Sequence, residues 1–162
     1  MPRRIFFSFH YDGDILRVGQ IRNSQVATNG GAPSGFIDKA AWESLKRGGE
    51  AAIKRWISDQ LHGTSVTVVL IGSETANREW VNYEIGESAR QGNGMLGVYI
   101  HNVLDLNRHT SPKGENPFDF LFWDGDRSRP LSRDYKTYDW ISDDGRTNLP
   151  SWIEEAAQAA GR

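Results

Sequence analysis

Two stretches of the chain show no polar alternation. TSVTVVLIG, residues 64–72, is β-branched and almost uncharged, with glycine at both ends, and MLGVYI, residues 95–100, is a second such run. Uninterrupted apolar runs of this length predict strands buried on both faces, as in a parallel sheet covered by helices. Residues 3–9, rich in bulky apolar side chains, predict a buried first strand, and GFI at 35–37 a very short edge strand. Between them the period lengthens. Apolar residues at 15, 18 and 21 predict a weak helix. GGEAAIKRWISDQL, residues 48–61, sets Ala52, Ile53, Trp56, Ile57 and Leu61 on one face of a stronger one, which Gly63 ends. ANREWVNYEIGES, residues 76–88, predicts a third helix. TYDWIS at 137–142 reads as a last strand, and NLPSWIEEAAQAA at 148–160 as a terminal helix with Pro150 near its first turn. YDGD at 11–14 reads as a turn in which Asp12 or Asp14 caps the next helix.

Strands and helices in alternation imply βαβ units, hence an α/β fold with a doubly wound, mainly parallel, flavodoxin-like sheet of order 2-1-3-4-5. No repeat or linker divides residues 1–162, so one domain is expected, with 102–135 irregular and suited to an interaction surface or a lid. Its NPFDFLFWDGD segment offers the aromatics an interface would use. In such a sheet, ligands sit beyond the carboxyl ends of the strands where the order reverses. The loops concerned are HYDGD after the first strand and GSETANREW after TVVLI. The second leads into a helix on which Val81, Ile85 and Ser88 face the sheet. Glu84 stands about 60° from Val81 at roughly 100° per residue and is expected half-buried, with Trp80 one turn before it. A carboxylate against an aromatic wall has a raised pKa unless a cation offsets it.

The 162 residues are 38% hydrophobic and 11% aromatic, with a net charge of −2 and no cysteine. That composition supports a real core and excludes disulfides, cysteine nucleophiles and thiolate metal sites. No basic stripe marks a nucleic-acid partner. The apolar run near the start is too short for a signal peptide core or a membrane span, so a cytoplasmic protein is expected. No Walker loop or G-x-G-x-x-G follows any strand. His10, Asp12 and Asp14 alternate as a metal site might require, but turn and cap duty is the commoner use of such residues, and no metal is expected.

RIFFSFHYDGD, the strand TVVLIGSET and REWVNYEIGES with its W-x-x-x-E together resemble the TIR-like domains. The opening and RVGQIRNS are most similar to the ThsB type of the bacterial Thoeris anti-phage system. The resemblance covers roughly residues 3–100. It implies an enzyme that cleaves NAD between nicotinamide and ribose and makes a cyclic ADP-ribose isomer, a signal for a separate NAD-consuming effector. NAD is then substrate, and no cofactor is expected. Glu84 stands where the family has its catalytic glutamate. The same resemblance implies a phage-derived trigger, low activity at rest and a tendency to work as assemblies.

With NAD as substrate, the candidate contacts are Ser8, Phe9, Tyr11, Asp12, Arg17, Asp38, Ser73 and Trp80. Trp80, or Phe9 and Tyr11, would stack on nicotinamide or adenine, and Arg17 with Arg22 would meet the pyrophosphate. Each has a plainer role open to it: Trp80 and Phe9 as core residues, Ser8 and Ser73 bonding strand-end backbone, Asp12 and Asp38 as helix caps, Arg17 as a solvated helix residue. Two other functions compete: a TIR adapter without chemistry, acting by self-association, and a nucleoside-processing ribosyl transferase. An acid in the cleft favours an enzyme over the adapter, and a substrate panel separates the transferase.

Overall fold

The structure, a computed structural model, describes residues 4–29 and 39–162, without the side chains of residues 12, 25–29, 39 and 40. Four strands, Ile5–Ser8 (β1), Val66–Ile71 (β2), Gly94–Tyr99 (β3) and Thr137–Asp139 (β4), form one parallel sheet in the order β1-β2-β3-β4. This is the expected order less its second strand, and the expected strand at 35–37 lies outside the described residues. The two apolar runs pair with each other, Val66 beside Gly94 and Ile71 beside Tyr99, and every residue of β2 is buried.

The helices are Tyr11–Asn29 (α1), Lys39–Arg47 (α2), Glu50–Leu61 (α3), Glu79–Arg90 (α4) and Gly145–Ala159 (α5). Val18 and Ile21 of α1 join Leu149, Trp152, Ile153 and Ala157 of α5 in a core over one face of the sheet. Val81 and Ile85 of α4 cover Val69 and Ile71 on the other, beside a cluster in which Ile53, Ile57 and Leu61 of α3 enclose Phe6. Period-2 alternation therefore decides which strand residues meet α4. Phe7 of β1 points to the α1/α5 side, so Phe6 and Ser8 point to the α3/α4 side. Gly94 admits the backbone of α5, since an added Cβ would collide with the Ala156 carbonyl.

Three elements depart from the sequence reading. YDGD is no turn: α1 starts at Tyr11, and the Asp14 amide donates to the His10 carbonyl at 3.0 Å, so Asp14 lies inside the first turn rather than capping it. α2 went unread, because only two glycines, Gly48 and Gly49, separate it from α3. α5 begins at Gly145, three residues early, which moves Pro150 deeper into the helix. The stretch 102–135 carries short 3-10 turns, and its aromatics turn inward: Phe118 is fully buried, with Trp123 and Tyr135 packed beside it against the α4 side of the sheet. Phe120 alone among the large side chains of NPFDFLFWDGD is strongly exposed. Among the described residues, no helix is long and apolar enough to cross a membrane.

Candidate active site

Beyond the carboxyl end of β1, a cleft of about 380 Å³ opens between α4 and the α2–α3 pair. That volume lies within the range of small-molecule sites. β1 and its loop contribute Phe7, Phe9, His10 and Tyr11; α2 contributes Trp42 and Lys46, and α3 contributes Trp56. Asn77, Arg78, Glu79, Trp80, Val81 and Glu84 come from the start of α4 and the turn before it. A larger cavity of about 500 Å³ lies at the other end of β3, lined by Gly94, Met95 and the last turns of α5. It has no buried carboxylate comparable to Glu84.

Glu84 sits deeper than its helical phase suggests, at 8% exposed, because the α2–α3 layer closes over the side of α4 that a bare sheet would leave open. Its carboxyl is pushed up to about 8, chiefly by loss of water around the charged form. The Ser8 hydroxyl beside it pulls the other way, but the approach falls short of hydrogen-bond geometry. Ser8 Oγ and Glu84 Oε2 are both buried without a partner. No cationic group contributes to the shift. A buried polar atom with nothing to bond is costly in a folded protein. Here two of them sit together, Glu84 in the lining of the cleft and Ser8 behind it.

α4 is held firmly. Ser88 Oγ donates to the Glu84 carbonyl at 2.7 Å and stands 2.8 Å from Thr67 Oγ1 on β2, so the turn that carries Glu84 is pinned to the sheet. At the helix entrance, the Gly72 amide donates to Thr75 Oγ1 at 2.8 Å, folding the chain back after β2. The Asp14 carboxyl, its pKa raised by burial, lies against Gly72, where any added Cβ would overlap it. Only glycine fits between Asp14 and the strand end.

The aromatic wall is larger than expected. Phe9 and Tyr11 stack with ring centres 6.1 Å apart, and Tyr11 meets Trp42 at 5.9 Å. Trp80 lies edge-on to Tyr83 at 5.9 Å and packs on the Phe6–Ile53–Ile57–Leu61 cluster while lining the cleft. It packs in the core and also lines the cleft where a ligand contact was expected. Trp80→Ala is expected to destabilise the fold by about 1–3 kcal/mol, less than a fully buried tryptophan, and to lower turnover as well. Denaturant unfolding beside a turnover assay checks this, and lost activity at unchanged stability would make Trp80 chiefly a ligand contact.

Of the expected contacts, the structure gathers Ser8, Phe9, Tyr11 and Trp80 around Glu84. Arg17 has another task. Its Nε donates to the Val103 carbonyl at 2.8 Å, its Nη2 donates to the His109 carbonyl at 3.0 Å, and Asp105 stands 3.7 Å away, so it ties the 103–109 loop to α1 and does not reach the cleft. A buried guanidinium goes where acceptors complete its bonds, and here those are carbonyls on the far side. Arg22 and Ser73 are exposed and line no part of the cleft, and nothing from 102–135 covers it. Asp38 and the side chain of Asp12 lie outside the described residues. The sequence reading missed Trp42, Lys46, Trp56 and Arg78. The W-E spacing pointed at α4 but carried no signal for helices that reach the site across a crossover.

The family model described as "Thoeris protein ThsB, TIR-like domain" matches residues 6–105, which contain the whole cleft. The chain belongs to the ThsB family. A curated relative from Bacillus cereus (strain MSX-D12), named a putative cyclic ADP-D-ribose synthase ThsB1, is 35% identical over 94% of this chain and 100% of its own length. The ThsB match stops before the 3-10 turns, β4 and α5, but the relative spans those as well. The resemblance carried by RIFFSFH and W-x-x-x-E is thus the true family, and its doubly wound fold is the one observed.

Proposed function

We propose that this ThsB-family protein cleaves NAD at the nicotinamide–ribose bond in the α4 cleft and closes the remaining ADP-ribosyl group into a cyclic ADP-ribose isomer. The observation that carries the reading is Glu84, a buried carboxyl with one unbonded oxygen at the base of an aromatic cleft. The relative's name points to the same chemistry.

The bond broken joins ribose C1′ to the pyridinium nitrogen. Its electron pair returns to the ring, which leaves as neutral nicotinamide, so the departure needs no general acid. The ribosyl group becomes an oxocarbenium ion, as in glycoside cleavage. A carboxylate held in a dry site stabilises that cation far better than water would, and it can accept hydrogen bonds from the ribose hydroxyls. Among the described residues Glu84 has no cationic partner, so its burial keeps the carboxyl mostly protonated near neutral pH. The pyridinium of NAD supplies the missing charge. Substrate binding and loss of the Glu84 proton then favour each other. The aromatic wall excludes water and favours attack on C1′ by a ring nitrogen or hydroxyl of ADP-ribose itself. An attacking hydroxyl releases its own proton to Glu84 or solvent, whereas a ring nitrogen carries none and leaves a cationic adenine that is neutralised by losing a proton from its exocyclic amine.

In this reading NAD is a substrate and no cofactor is needed. The product diffuses in the cytoplasm to a separate effector, a phage-derived signal turns the enzyme on, and copies of the chain work together, with neither nucleic acid nor membrane as partner. The test is mass spectrometry of small molecules from phage-challenged cells carrying the wild type or E84Q. A Glu84-dependent species with the mass of cyclic ADP-ribose supports the reading. Its absence under a confirmed trigger would leave the adapter, and the cleft would revert to packing.

A further inference from the structure

With Arg17 turned away from the cleft, no residue expected from sequence is left to meet the diphosphate of a dinucleotide. We propose that Arg78 binds the NAD diphosphate, which competes for it with its partner Glu74. The proposal rests on the NAD reading of the cleft and adds the residue that grips the non-reacting part of the substrate.

Arg78 is the residue at which α4 begins, and it lines the cleft. Its Nε is buried without a hydrogen-bond partner. Its Nη2 donates to Glu74 Oε2 at 2.9 Å, but that pair is solvent-facing, with the side chains 41% and 59% exposed. Exposed pairs of this kind contribute little and exchange readily. Glu74 Oε2 also stands 3.9 Å from His10 Nε2, so a carboxylate already occupies a position between two basic side chains on the rim. A phosphate oxygen has the same charge and acceptor chemistry and makes stronger bidentate bonds with a guanidinium.

Two further features agree. No side chain caps α4, so the first-turn amides of Glu79, Trp80 and Val81, all cleft residues, carry the partial positive charge of a helix start. The spacing also fits. Arg78 and Glu84 are six positions apart on one helix, about 9 Å along its axis at 1.5 Å per residue. In NAD the first phosphorus lies one ribose ring and one methylene away from the anomeric carbon, a shorter span whose remainder the long arginine side chain can cover. With C1′ at Glu84 and Ser8, the diphosphate falls at the start of α4 and the adenosine at the mouth. Among the described residues, Lys46 is the other lysine or arginine in the cleft, but it is engaged with Glu43 at 3.0 Å and lies over the Trp42 ring. Glu79, at the same rim, opposes an anion, which makes a strong cationic partner the more necessary.

The test uses E84Q as a background that holds NAD without consuming it. Calorimetry measures NAD, ADP-ribose and nicotinamide riboside against E84Q alone, with R78Q and with E74Q. R78Q should weaken NAD and ADP-ribose at least about tenfold and leave the riboside, which has no phosphate, unchanged. E74Q should tighten NAD severalfold, and R78K should restore part of the loss. Equal weakening of NAD and riboside would mean that Arg78 merely shapes the start of α4, and unchanged NAD affinity would place the diphosphate elsewhere; either overturns the proposal. If neither NAD nor ADP-ribose binds E84Q, the NAD reading of the cleft falls and this assignment falls with it; if NAD alone is lost, its pairing with Glu84 is the cause, and ADP-ribose carries the R78Q comparison. Thermal melting of each variant confirms that it is folded.

Discussion

E84Q loses NAD turnover by at least about a hundredfold, the scale on which removing one preorganised electrostatic group slows an enzyme. The amide has nearly the shape of the protonated acid present in the empty cleft at neutral pH, so packing around residue 84 is unchanged. What disappears is the ability to become an anion as the ribosyl cation forms. Steady-state release of nicotinamide by purified protein measures this. In the wild type, kcat/KM should climb about tenfold per pH unit up to a plateau near pH 8, because it reports the free enzyme's ionisation. An E84Q variant with ordinary turnover would remove the residue from the mechanism. A flat wild-type profile would mean that the reactive form does not depend on that proton.

Stability moves the opposite way with pH. The Glu84 carboxyl titrates near 8 in the folded chain and at 4.5 when unfolded. Between those values the folded state holds a proton that the unfolded state has released, so unfolding free energy falls as pH rises. The contribution is complete below about 4.5, shrinks through the neutral range and is gone above the folded value. At 1.4 kcal/mol per pH unit, the loss by pH 7 is on the order of 3 kcal/mol. E84Q lacks this titration. The two proteins should melt together near pH 4.5, and the variant should melt several degrees higher at pH 8. A constant difference across that range would show that the carboxyl is better solvated than its burial indicates. Together the two profiles describe a trade: the proton that stabilises the resting fold is the one catalysis must remove.

The parts of this molecule legible in its sequence are those set by local periodicity. The uncharged runs at 64–72 and 95–100 could only be central strands, and β2 and β3 are the middle of the sheet. The phase of Val81, Ile85 and Ser88 put Glu84 on the correct side of α4, and the switch-point rule put the cleft at the correct strand ends. The illegible parts are set by who approaches whom across long separations. Arg17 was as free to point toward the β1 loop as toward residues 103–109, and only the path of that loop decides it. Trp42 and Trp56 look like ordinary apolar-face residues until α2 and α3 are laid against α4. Arg78 stands two residues before the tryptophan of the motif and resembles any charged residue at a helix start. The depth of Glu84 was underestimated for the same reason, since a helical wheel shows one helix and not the layer above it.

Every described residue of the cleft lies between Phe7 and Glu84, while Phe7 and Phe9, at the strand end where it forms, pack in a core shared with Leu149, Trp152, Ile153 and Ala157 of α5. During synthesis the cleft residues therefore leave the ribosome well before the residues that complete the core behind them. The framework that positions Glu84 is thus completed late, by a helix made about sixty residues after it.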